Sequence, residues 1–384
     1  MKRYHFLDER KFRYFCQGLT LDAQDMANLD KVLCSLDKVR KLPSKIVAHN
    51  GKHGFGSLPS FPGPQIIINL EKTFSENGRS TSLSLVSEHS NILNATPGLH
   101  IHLRSPSLDI PQRVEIPLRY VLKGLPDIEG THMIYLHTLE VKEGPPFVYY
   151  GITKRGWMKR FNEHMAGALK RESRLVFHKT LRDAILGRMI ELGNDIRGPD
   201  REPPPTLTLA GNHHVVCAAG LNEEQALEAE EYLVGKHSFG HEGGLNMIPG
   251  GKAGVAHLHR LNILPANRRG ILDQDREEAM DQFLKDHPRR GIPNPQVAEH
   301  WKDSAYASRI ICAGVHRLSV DQVIAIRRNF ELGLSAESIC QQIKARNVPQ
   351  VLRVIEGKTY QRIVGPVSQT GRFSGFESTS PESM

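Results

Sequence analysis

The chain has 384 residues, length for roughly two or three domains, and a formal net charge of +8 from 50 Lys and Arg against 42 Asp and Glu, a balance that favours polyanionic partners. Its five cysteines (Cys16, Cys34, Cys217, Cys312 and Cys340) are odd in number, widely scattered and without a C-x-x-C pair, which excludes a zinc ribbon and a disulfide framework. No run of about 18 apolar residues occurs, so the expectation is a protein without a membrane partner, in a reducing, cytoplasmic setting.

Residues 1–130 are expected to form a small α+β domain of unclear fold, with a helical stretch over 22–41 and short strands over 65–70, 81–86 and 99–103. No chemistry is assigned to it. His100 and His102 alternate on one strand face, and two imidazoles alone make a poor metal site. The Gly-rich stretches near Gly51 and Gly251 lack the order of a phosphate-binding loop, so no nucleotide cofactor is expected.

The segment 147–165, FVYYGITKRGWMKRFNEHM, concentrates phosphate-handling residue types in a strand, a turn and a helix. The strand is expected to stop at Gly151, where a backbone without Cβ permits a tight exit. Trp157, Phe161 and Met165 then recur every four residues as an apolar stripe, with Arg160 and His164 on a different face. A Pro-rich insertion at 193–205 precedes a strand over 206–219. The next helix, 221–236, carries five glutamates, with Asn222 as N-cap and Gln225 in the capping-box position. A Gly-rich turn containing Asn246 closes the region.

Residues 256–317 read as a helical linker, in which 273–286 has an amphipathic pattern through Met280, Phe283 and Leu284 that packs locally. Three short helices follow over 318–360. The first has a capping box at Ser319 and Gln322, an inward stripe of Val323, Ile326 and Phe330, and an end near Gly333. The second starts at Ser335 with Ile339 and Ile343 inward, and the third runs from Asn347 through Pro349, Val351, Leu352 and Ile355 to Gly357. The tail, 361–384, is rich in Ser, Gly and Glu and is expected to be disordered.

The central region resembles the GIY-YIG nuclease family. The residues that carry the resemblance are Tyr135 in MIYLHT, Tyr149 and Gly151 in VYYG, Arg160 and His164 on the next helix, Glu230 followed by Leu233 and Val234, and Asn246 in GGLNMIPGGKAG. Met133 stands where the family has its first Gly. The resemblance spans 131–255, about a third of the chain, a usual size for one small domain. It implies a small antiparallel sheet flanked by helices, so the fold expected for the whole chain is α/β (α+β). It also implies an endonuclease that hydrolyses DNA phosphodiester bonds with Mg²⁺ or Mn²⁺. Glu230 would hold the metal, Arg160 would clamp the phosphate with two forked donors, and Tyr135 or Tyr149 would accept the proton of the attacking water. Lys154, Arg155 and Lys159 would add affinity for the nucleic-acid backbone.

The three C-terminal helices resemble the small helix-turn-helix modules attached to homing-type and phage nucleases. In that reading Gln350 and Arg353 face the major groove, with Arg346 and Lys358 near phosphates. The same charges suit a catalytically inactive DNA-binding regulator or an RNA-directed nuclease, and no feature of the sequence sets an oligomeric state.

Overall fold

The computed structural model describes residues 4–19, 21–35, 66–75, 78–87, 98–105, 107–124, 128–170, 173–195, 204–288, 290–293, 302–312 and 317–363. The architecture is mixed α/β, in two compact units, Met1–Ile292 and Pro293–Met384. The divisions expected at 130 and 255 both fall inside the first unit. No helix among the described residues is long and apolar enough to cross a membrane.

Among the described residues of the first unit, seven strands form one mixed sheet: β1 (Ile66–Ser75), β2 (Gly78–Ser87), β3 (Gly98–Arg104), β4 (Pro111–Pro117), β5 (His132–Val141), β6 (Phe147–Thr153) and β7 (Leu209–Leu221), in the order β2-β1-β3-β4-β7-β5-β6. Where the central region was expected to hold a small antiparallel sheet, β7, β5 and β6 pair antiparallel as one part of this larger sheet. It is not free-standing, because β4 pairs in parallel with β7 through Gln112–Asn212 to Glu115–Val215 and joins it to the N-terminal strands. A strand at 111–117 was not anticipated: prolines bound it, and Val114 and Ile116 are its only fully buried hydrophobic residues.

Among the described residues seven α-helices accompany this sheet: α1 (Glu9–Phe15), α2 (Ala23–Ser35), α3 (Trp157–Leu169), α4 (Val176–Glu191), α5 (Glu223–His237), α6 (Gly251–Arg260) and α7 (Asp273–Asp286). Residues of β5 alternate between two cores, as the period of a strand demands. Met133, Tyr135 and Leu139 join Phe12, Phe15, Trp157 and Phe177, whereas Ile134 joins Ala226, Leu227 and Ala229 of α5. The buried Trp157 indole N–H donates to the Phe15 carbonyl at 2.9 Å, tying α3 to α1. Asn222 and Gln225 form the expected capping box at the start of α5.

The expected linker, 256–317, is divided between the units. The second half of α6 and all of α7 fall in the first, and α8 (Ser304–Cys312) in the second. In the second unit α9 (Val320–Glu331), α10 (Ala336–Gln342) and α11 (Val348–Ile355) enclose Leu318, Val323, Ile326, Ile339, Val351, Val354 and Ile363. Ser319, Ser335 and Asn347 each cap the helix that follows, with Ser319 and Gln322 completing a capping box. Gly333 takes φ +82° and Gly357 φ +66°, the left-handed conformation with which helices commonly end. Phe330, expected inward, is 50% exposed, since it lies in the last turn of α9 beyond that core. The tail from 364 onward lies outside the described residues.

Candidate active site

The β5–β6 ladder sets Tyr135 directly opposite Gly151. The strand does not stop at Gly151 as expected but continues to Thr153. Glycine is needed there for space: a Cβ would sit on the Tyr135 phenol and 2.6 Å from the Asp273 carboxylate. Met133 pairs regularly with Thr153, is buried and has no left-handed φ, so its backbone makes no demand for glycine. Near it β5 shifts register against β7 twice, between His132 and Ile134 and between Ile134 and Tyr135.

Helix α3 starts after Gly156, whose φ is +87°. Arg160 and His164 share a face, as their spacing requires, and that face is buried. Arg160, 3% exposed, donates from Nη2 to Glu277 at 2.7 Å, from Nε and Nη2 to Asp273 at 3.2 Å, and from Nη1 to Glu163. Burial opposes its charge, but Asp273, Tyr135 and Glu277 outweigh burial and push its pKa up, so the guanidinium stays cationic.

The Tyr135 hydroxyl donates to Asp273, and the Tyr149 hydroxyl to Glu277. Burial, reinforced by these carboxylates, raises both phenols well above their ordinary pKa. With the Tyr135 proton directed at Asp273, the 3.2 Å contact between Tyr135 and His164 Nε2 requires the imidazole to donate. His164 Nδ1 then accepts from His178 Nε2 at 3.0 Å, and His178 Nδ1 lies 2.7 Å from the Ser173 hydroxyl, which is also 3.2 Å from the Asp281 carboxylate. Burial holds both imidazoles neutral, with pKa values below the usual histidine range, and Arg160 lowers each further. Protons therefore point one way along His178, His164, Tyr135 and Asp273.

Among the glutamates of α5, Glu230 points inward at 2% exposure, while Glu228 faces solvent and Glu231 accepts from the Ala253 N–H at 3.0 Å. Both Glu230 oxygens are taken: Arg276 donates to each at 2.8 Å, and the Gly251 N–H, in the first turn of α6, donates to Oε2 at 2.8 Å. A hard divalent cation at Glu230 would have to displace the Arg276 guanidinium. In this arrangement the carboxylate does not fit Mg²⁺ or Mn²⁺, and no step is derived through a metal. One further group, His164, His178 and Glu277, brings three potential ligand atoms within 4.8 Å of one another, but Glu277 is already held by Arg160 and Tyr149.

Asn246 acts on the backbone. Its side chain accepts from the Tyr150 N–H at 3.0 Å and donates to the Tyr150 carbonyl at 2.8 Å, completing the outer edge of β6 as a paired strand would. Of the expected backbone-binding cations, Lys154 and Lys159 are exposed, whereas Arg155 is tied to Glu163 at 2.9 Å and to Gln274.

Tyr149, Glu230, Asn246, Asp273, Arg276 and Glu277 all line a cavity of about 30 Å³, room for water but not for a phosphodiester. Asp273, Arg276 and Glu277 were not anticipated. They lie three and four residues apart, in line with Met280 and Leu284, so one face of α7 is apolar in its second half and charged in its first. That change along a continuous face was the available signal.

No protein-family model matches the chain, no curated protein matches it, and no solved structure matches its fold.

Proposed function

We propose that the first unit is a phosphodiester hydrolase of the GIY-YIG type acting on DNA. The observation that carries this reading is the convergence of Tyr135, Tyr149, Arg160, His164 and Glu230, from four elements of secondary structure, beneath one helix. Arg160 is suited to neutralise the nonbridging oxygens of a phosphate, with two donors in a fixed fork. Tyr135 is favoured over Tyr149 as proton acceptor. Both phenols donate to carboxylates of α7, but only Tyr135 also receives an N–H, from His164, and that donor stabilises a phenolate once the carboxylate is gone. The metal that such enzymes use would supply charge neutralisation.

The test is cleavage of supercoiled plasmid by the full chain with Mg²⁺ or Mn²⁺, against a chelator control and Glu230→Ala. Nicked or linear product that requires both the metal and Glu230 is expected. Plasmid binding without scission would replace this reading by that of a non-cutting DNA-binding regulator, which the occupied state of Arg160 and Glu230 favours.

The second unit is proposed to target DNA through α11. Arg353 is exposed on that helix and Arg346 is exposed just before its N-cap. Gln350 is half-buried and its side-chain oxygen accepts from the Arg346 N–H at 3.3 Å, and Lys358 pairs with Glu356 at 2.8 Å on the surface. Ending the chain at His316 is expected to abolish preference among DNA sites while low-specificity cutting persists. Equal discrimination before and after truncation, measured by competition between duplexes, would refute a targeting role.

A further inference from the structure

We infer that α7 is a built-in plug of the active site, whose Asp273 and Glu277 carboxylates hold the places of phosphate oxygens and whose Arg276 guanidinium holds the place of the cation. The inference rests on the hydrolase reading above and adds how that site is regulated.

The four groups expected at the reacting phosphate and metal, Tyr135, Tyr149, Arg160 and Glu230, are all engaged by three residues on a single helix face. Arg160 meets Asp273 and Glu277, Tyr135 meets Asp273, Tyr149 meets Glu277, and Glu230 meets Arg276. The charge pattern of that face, two anions flanking a cation, matches what a metal-bound phosphodiester would offer, with anionic oxygens toward Arg160 and positive charge toward Glu230. The cavity shared by Tyr149, Glu230 and α7 holds only about 30 Å³, too little for a phosphodiester between those groups while α7 is seated; a wider cavity of about 380 Å³ reaches Arg160 and His164 alongside α7 but touches neither tyrosine nor Glu230.

The two halves of α7 are held differently. Met280 and Leu284 pack with Leu258, Ile263 and Leu264 in an apolar cluster of their own, which anchors the second half against α6 and the segment after it. The first half is seated by buried charge. Such pairs gain little over their desolvation, so a phosphate and a cation that pair with the same groups can take over what α7 vacates. Gly270, at φ +60° just before the helix, lies against Leu264 and belongs to the connection that must move with the first turn.

The test uses the full chain and the dinucleotide TpT with Ca²⁺ as probe. Adding TpT is expected to accelerate amide hydrogen exchange in the first two turns of α7, and Asp273→Asn with Glu277→Gln to bind TpT about tenfold or more tightly than the parent, since the closed population falls. The double variant keeps polar side chains for both tyrosines; should it fail to fold, as circular dichroism would show, the exchange experiment on the unaltered chain decides alone. Unchanged or slowed exchange in α7 would overturn the plug and make the helix a fixed wall of the site, as would equal affinity of the folded variant and its parent. Plasmid cleavage separates the two proposals: α7 loosened by TpT in a protein that never cuts leaves the plug standing and removes the hydrolase, whereas cutting with α7 unmoved does the reverse.

Discussion

Replacing Arg160 by Ala is expected to lower plasmid cleavage by about 10²–10³-fold, the usual consequence of removing a preorganised charge partner of the transition state. The same change strips two buried carboxylates, Asp273 at 3% and Glu277 at 8% exposure, of their shared guanidinium. Breaking a buried pair by removing one partner commonly costs about 3–5 kcal/mol, so the thermal transition of the first unit should fall as well. Rates therefore have to be compared well below that transition. Arg160→Lys separates the two effects, because it keeps the charge that the carboxylates need but presents a single point where the phosphate needs a fork. Stability largely restored with cleavage still depressed is the expected pattern. A variant lacking the guanidinium that cuts at the parental rate would remove Arg160 from the chemistry.

Mild acid is expected to destabilise the first unit strongly. His137, His164 and His214 are fully buried; burial, with neighbouring imidazoles or Arg160, lowers all three pKa values, that of His214 to about 3. His137 lies against Phe161 and Phe177 with its Nδ1 3.0 Å from that of His214, and His214 stacks on Trp157. A histidine whose folded pKa lies below its unfolded value stabilises the fold fully above the unfolded pKa, near 6.5, and loses that contribution as pH falls toward the folded value. Within that window each imidazole held neutral costs about 1.4 kcal/mol per pH unit. Thermal melts between pH 7 and pH 5 should show a steep, cooperative drop in the first unit. A flat profile would mean that these rings carry charge inside the fold.

Local signals of the chain were legible, and non-local ones were not. Asn222 with Gln225, Ser319 with Gln322, and the Trp157 and Phe161 stripe are set by neighbours within one turn of helix, where spacing alone determines what meets what. The parallel pairing of β4 with β7 joins residues about a hundred positions apart and leaves no pattern in either strand. The site divides in the same way. Tyr135, Gly151, Arg160 and His164 could be placed on their elements because each strand or helix has its own period. That Arg160 is buried depends on Asp273, 113 residues away, and charged positions on a helix are ordinarily read as facing water. Glu230 stood out among five glutamates through the aliphatics that follow it, but Arg276, its partner, lay in a span taken for a linker.

An occupant carried on the same chain has a local concentration that no dilution of the protein reduces. If the site is open for only about one part in a hundred, any ligand that needs it open binds about a hundredfold more weakly to the whole chain than to an open site. A measured dissociation constant is then the product of two equilibria, one of which belongs to α7 alone.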